Sequence, residues 1–118
     1  MSNQSYASAA RTANFTGDAN AKQPDATGVL VLMNITAVPG VDTVTLNIQG
    51  QDPVSGTWYT IVSSAAAVAT GLVKLMVGRV ASAANVAVNE LLPDRYRVTV
   101  THSAATSFTY SISVTESA

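Results

Sequence analysis

The chain has 118 residues and a mass of 12.1 kDa, carries 11% charged residues at a net charge of −1, and contains no cysteine. One domain is expected at this length, and disulfide staples, thiolate chemistry and cysteine zinc sites are excluded. Six Lys and Arg residues scattered along the chain do not make the basic surface that a nucleic acid requires, and a charged share well below the usual ~25% suits a surface covered by neighbours.

Residues 1–26 are rich in Ser, Asn, Gln, Ala and Asp, and Met1, Tyr6 and Phe15 are their only large apolar side chains. This composition predicts an extended arm, with an edge strand around residues 12–16, ahead of a β-domain over residues 27–118. Tyr6, Arg11 and Phe15 stand in the arm as widely spaced anchors. A segment that orders on binding depends on a few strong contacts of this kind. The opening residues lack a basic stretch followed by an apolar one, so no secretion signal is read there. No apolar run reaches the ~18 residues of a membrane span. The expectation is a protein made in a cytoplasm and used without secretion or membrane insertion.

From Thr27 the pattern becomes that of strands. "TGVLVLMNITAV" is apolar on both parities up to Met33, as expected for a central strand covered on both sides or a strand at a subunit contact. "PGVD" is a turn, because Pro39 presets φ and Gly40 accepts a positive one. In "TVTLNIQGQ", Val44, Leu46 and Ile48 alternate with Thr45, Asn47 and Gln49, which is the period of a half-buried strand. "DPVSG" is the next turn and "TWYTIVSS" the strand that completes a hairpin. Trp58 and Tyr59 adjoin, so one faces in and the other out, and Trp58 is assigned to the core.

"AAAVATG" is too short for an independent helix and predicts a loop or bent strand. "LVKLMVG" reads as a strand, and "RVASAANVAVNELL" as an irregular crossover or a single helical turn. The runs 95–101 and 108–114 alternate in phase and predict a closing hairpin, with Tyr96, Val98 and Val100 on the buried face opposite Phe108, Tyr110, Ile112 and Val114. The whole predicts an all-β antiparallel sandwich of about seven strands, immunoglobulin-like with a jelly roll as the alternative. Leu91, Leu92 and Pro93 leading into Tyr96 resemble a tyrosine corner.

Candidate chemistry is sparse. His102 is the only histidine, sits where a strand enters a loop, and has no carboxylate near it in sequence, so a general-base role is not expected. The seven Asp and Glu residues are dispersed, which fits turns better than a glycosidase pair or a calcium loop. No catalytic residue, cofactor site or metal site is assigned. Tyr59, if exposed, is a stacking platform for a sugar, although the chain holds only seven aromatic residues with which to build such a face. Arg95 and Arg97 flank Tyr96 on the opposite face, where they are solvated or pair with a neighbouring subunit.

The segments "GVLVLMNITAVPG", "QGQDPVSGTWY", "LLPDRYRVTVTH" and "SFTYS" together resemble a family of small β-rich structural proteins encoded among the virion genes of tailed bacteriophages and prophages. The resemblance covers roughly residues 25–114 and leaves out the arm. It implies a virion component, a capsid decoration or cement protein on the capsid exterior. Its expected partners are the major capsid protein and its own copies, as a homotrimer. A tail or head–tail joining role stays open, as does a carbohydrate-binding adhesin module. The interface residues expected on this reading are Tyr6, Arg11, Phe15, Tyr59, Arg95 and Arg97.

Overall fold

The computed structural model describes residues 3–117. Its strands are β1 (Asn3–Arg11), β2 (Phe15–Thr16), β3 (Asn20–Ala21), β4 (Gly28–Ala37), β5 (Val44–Gln51), β6 (Trp58–Ser63), β7 (Gly71–Val77), β8 (Ala87–Val88), β9 (Arg95–His102) and β10 (Phe108–Ser117). They form two sheets. Sheet A has the order β1-β10-β4-β7-β8, and sheet B the order β2-β9-β5-β6, with β3 continuing β2 along β9. Every pairing is antiparallel except the short β7–β8 contact.

The order has a simple origin. The chain doubles back at the β5–β6 turn, so β5 pairs with β6, β4 with β7, β2 and β3 with β9, and β1 with β10. Rolling up this long ladder brings β10 beside β4 and β9 beside β5. The expected antiparallel sandwich is present. Of its two expected forms, the strand order is that of the jelly roll and not of an immunoglobulin-like domain.

Two local expectations are corrected by this topology. The β5–β6 hairpin forms, but β9 and β10 do not pair with each other. They lie in different sheets and face one another across the core. Period-two alternation tells which residues share a face; it does not tell whether the next strand lies beside or opposite. The second correction concerns the arm. Residues 3–11 pair along most of β10, from Asn3 opposite Thr115 to Arg11 opposite Phe108. Phe15 and Thr16 then pair with Val100 and Thr99, and Asn20 and Ala21 with Tyr96 and Arg95. The polar segment is an edge strand of each sheet in turn. An edge strand has one neighbour and little to bury, so its composition need not be apolar.

The core lies between the sheets. Val29, Val31, Met33 and Ile35 of β4 and Phe108, Tyr110, Ile112 and Val114 of β10 meet Val44, Leu46 and Ile48 of β5 and Tyr96, Val98 and Val100 of β9. All are buried, and each side chain of this size contributes about 1.5–3 kcal/mol when removed from water. Tyr96, assigned to the core from its phase, is 1% exposed. Trp58 is not in the core. A bulge at Ile61, where Ile48 pairs with Val62 but Gln49 with Thr60, shifts the phase of β6 and turns Trp58 to the outer face.

A chain beginning at Lys22 lacks β1, β2 and β3 and leaves β9 and β10 with a bare edge each. It is expected to lose its cooperative thermal transition or to melt at least about 10 °C lower. Circular dichroism melting checks this, and an unchanged transition would mean that the three strands add nothing to stability.

Candidate functional site

Tyr6, Arg11 and Phe15, expected as anchors for a partner, come together within the molecule. The Tyr6 and Phe15 rings meet edge to face at 4.9 Å. The Arg11 guanidinium lies over Phe15 at 5.0 Å and over Tyr110 at 4.6 Å. It also answers the carbonyls disturbed by a bulge in β1 between Tyr6 and Ala9: Nη2 donates to Ala7 O at 3.1 Å, and Nη1 donates to Ala9 O at 3.2 Å and to Tyr110 O. The Tyr6 hydroxyl accepts from Asp18 N at 2.9 Å. A Cβ at Gly17 would come within 2.8 Å of that hydroxyl, so the chain needs glycine there. These residues close one end of the sandwich.

His102 belongs to the same end. It is the last residue of β9 rather than a loop residue. Its Nε2 shares a hydrogen bond of 2.9 Å with the Tyr110 hydroxyl, its ring packs on Phe108, and its backbone N donates to Asn14 Oδ1 at 2.7 Å. Burial holds the imidazole below its usual pKa; the Thr106 backbone pulls it up and the Arg11 charge pushes it further down. Burial pushes Tyr110 up to about 12, against the pull of Arg11. The arrangement favours a neutral imidazole that holds a strand end in place.

The most buried charged side chain escapes notice in the sequence. Glu116 occupies an inward position of β10 and is 2% exposed. Its Oε2 accepts from the Tyr96 hydroxyl at 2.6 Å and its Oε1 from Gln23 N at 3.2 Å. The bond ties β9 to β10 across the core. Tyr96 therefore spends its hydroxyl on a carboxylate of the facing sheet and not on the backbone, as a tyrosine corner would. Burial, then the Glu116 hydrogen bond and charge, push the Tyr96 pKa far up.

The outer face of sheet B is polar and internally bonded. Asn47 Nδ2 donates to Thr99 Oγ1 and Thr101 Oγ1, each at 3.1 Å, and Asn47 Oδ1 accepts from the Ser63 hydroxyl at 2.7 Å. Arg97 Nε donates to Gln49 Oε1 at 2.8 Å, and its guanidinium lies 4.2 Å over Trp58. Arg97, expected at a subunit contact, is thus occupied within its own sheet. Arg95 is exposed and lines a groove at the opposite end from Arg11. Tyr59, 46% exposed, lines the same groove. The carboxylate of Asp52 is spent on the β5–β6 turn, where it accepts from Val54 N and the Ser55 hydroxyl at 2.9 Å each and is held below the usual carboxylate range.

The outer face of sheet A is different. Leu30 pairs with Met76, Leu32 with Lys74, and Asn34 with Leu72. Leu30, Leu32 and Met76 are half-buried, and Leu72 is 64% exposed. This apolar stripe lies on the side of β4 and β7 away from the core. It accounts for the two-sided hydrophobicity of "GVLVLM". Among the described residues, no group of three or more His, Asp or Glu side chains gathers as a metal site would require. In comparison with known proteins, no family model matches the chain and no curated protein is significantly similar to it.

Two measurements check these contacts. Glu116→Ala orphans the Tyr96 hydroxyl and is expected to cost about 1–3 kcal/mol in urea unfolding. Tyr96→Phe made in that background is expected to cost less than it does alone, because the hydroxyl has already lost its partner. The pH profile carries the second. The folded His102 binds its proton less readily than the unfolded one, so stability is lost as pH falls below the usual histidine pKa of about 6.5. The folded Tyr96 and Tyr110 hold their protons more tightly, so stability is lost as pH rises above about 10, where the unfolded phenols ionise. A plateau between those limits is expected in thermal melts. Its acid edge should move with His102→Gln and its alkaline edge with Tyr110→Phe.

Proposed function

We propose that the protein is a non-enzymatic structural component of a tailed bacteriophage virion, a decoration protein that sits on the outside of the capsid and stabilises the shell. The resemblance of its strand and turn segments to that class of protein supports the reading. A jelly roll is an architecture used by viral capsid and lectin domains among others, although a fold alone assigns no function.

The observation that carries the proposal is the contrast between the two outer faces. Sheet B presents Thr, Asn, Gln and Ser side chains bonded to one another. Sheet A presents Leu30, Leu32, Leu72 and Met76, with Lys74 and Asn34 among them. Apolar side chains gathered on the outer face of one sheet mark a candidate interaction surface. The stripe is the surface assigned to the capsid shell or to a sister copy in a homotrimer. Tyr6, Arg11 and Phe15 are engaged with one another within the fold.

Mass spectrometry of purified phage particles tests the reading first. A copy number near the count of capsid symmetry sites is expected; a few copies per particle would point to the tail or the head–tail joint, and absence from particles would overturn the proposal. Leu72→Asp tests the surface. Leu72 is exposed, so the variant should keep its melting temperature and bind undecorated capsids at least about tenfold more weakly, a loss of about 1.4 kcal/mol.

A further inference from the structure

We infer that the groove at the Tyr59 end of the sandwich is a binding site for a neutral saccharide. The groove holds about 990 Å³ and lies between the 52–57 turn, residues 91–95 and Lys22. Its size is that of a small-molecule cleft. It is separate from the sheet A stripe, so the inference does not depend on which surface meets the capsid.

Three features point to a sugar. The first is a fixed aromatic face. Gly50 pairs with Tyr59. A Cβ at Gly50 would come within 2.7 Å of the Tyr59 hydroxyl and 2.8 Å of Pro93 Cγ. The ring therefore lies in the space that a side chain at position 50 would fill, and it is still 46% exposed. Pro53, Pro93 and Leu91, the last 88% exposed, extend the apolar wall. The C–H face of a pyranose stacks on such a surface. Prolines from two turns supply what the small number of aromatics in the chain does not.

The second feature is the state of the backbone. Asp52 N donates to Thr57 O at 2.9 Å, Gly56 N to Asp52 O at 2.8 Å, and Lys22 N to Asp94 O at 2.9 Å. These three N–H groups are spent within the fold and do not call for a backbone partner. Recognition falls to side chains. The third feature is charge. Lys22 and Arg95 share the lining with Asp52 and Asp94, so the formal charges cancel. A phosphate or a nucleic acid calls for an excess of positive charge. A polyhydroxylated neutral ligand calls for donors and acceptors side by side, which Arg95 and Asp94 present. The Asp94 carboxylate is 95% exposed and meets Lys22 only at 3.9 Å, so it is available to accept hydroxyls.

A glycan array of microbial and animal oligosaccharides, followed by NMR titration with the best neutral binder, tests the site. Binding of a neutral glycan is expected, with shifts confined to residues 51–59, 91–95 and Lys22. Affinity should change less than about twofold between low and high salt, since no net charge is matched. Tyr59→Phe keeps the stacking face and should keep binding. Tyr59→Ala should abolish it. If Tyr59→Ala fails to fold, Asp94→Ala carries the test, because its carboxylate is free of the core and its loss should weaken binding at least about tenfold. The inference is overturned if the array yields no neutral binder, if only acidic glycans bind and salt removes them, if a proline-rich peptide takes the groove instead, or if the shifts fall elsewhere.

Discussion

β10 is the strand on which the architecture depends. Its backbone is bonded on both edges, to β1 along one and β4 along the other. Its inward side chains supply Phe108, Tyr110, Ile112 and Val114 to the core, and Glu116 reaches β9 in the facing sheet. Burying a carboxylate costs several kcal/mol unless hydrogen bonds replace its water. Here the Tyr96 hydroxyl and Gln23 N replace it, and the bond is sensitive to where the two sheets sit relative to each other. Apolar side chains tolerate sliding; a 2.6 Å hydrogen bond does not. The carboxylate serves as a register mark between sheets, at a cost in raw stability that a Leu in its place would avoid.

The two ends of the sandwich are closed by different means, and this separates structural from free side chains. At one end Arg11 is enclosed by two rings and three carbonyls, and His102 is held by Tyr110 and Phe108. Little of their bonding capacity is left for a partner. At the other end Tyr59, Leu91 and Arg95 leave apolar area and donors open. Both ends contain aromatic and charged residues, and only geometry tells them apart.

The inward phase of β5, β9 and β10 was legible, because alternation with β-branched residues is a local property. What pairs with what was less so. β1 has a single large apolar residue, Tyr6, and its partner lies at the far end of the chain, so nothing local marks it as a strand. The 103–107 connection suggested a hairpin, yet it carries the chain from one sheet to the other. Trp58 was assigned to the core, but the Ile61 bulge, which periodicity cannot foresee, turns it to the outer face. Glu116 lies beyond the predicted 108–114 run, among carboxylates that looked merely dispersed. For the surfaces, the two-sided apolar run of β4 announced the sheet A stripe. Tyr59 and Arg95 were legible as exposed candidates, but the prolines that complete their groove come from two turns far apart in sequence.

The pairing of β1 with β10 bears on how the protein is made. Asn3 lies opposite Thr115, so β1 is made long before β10, the strand that pairs with it. Pairings between distant segments form slowly, and an unpaired strand is exposed to foreign chains while it waits. A Val- or Ile-rich β1 would be an aggregation hazard until β10 is made. The Ser, Ala, Asn and Gln of β1 lower that hazard. The polar composition of β1 suits this order of synthesis.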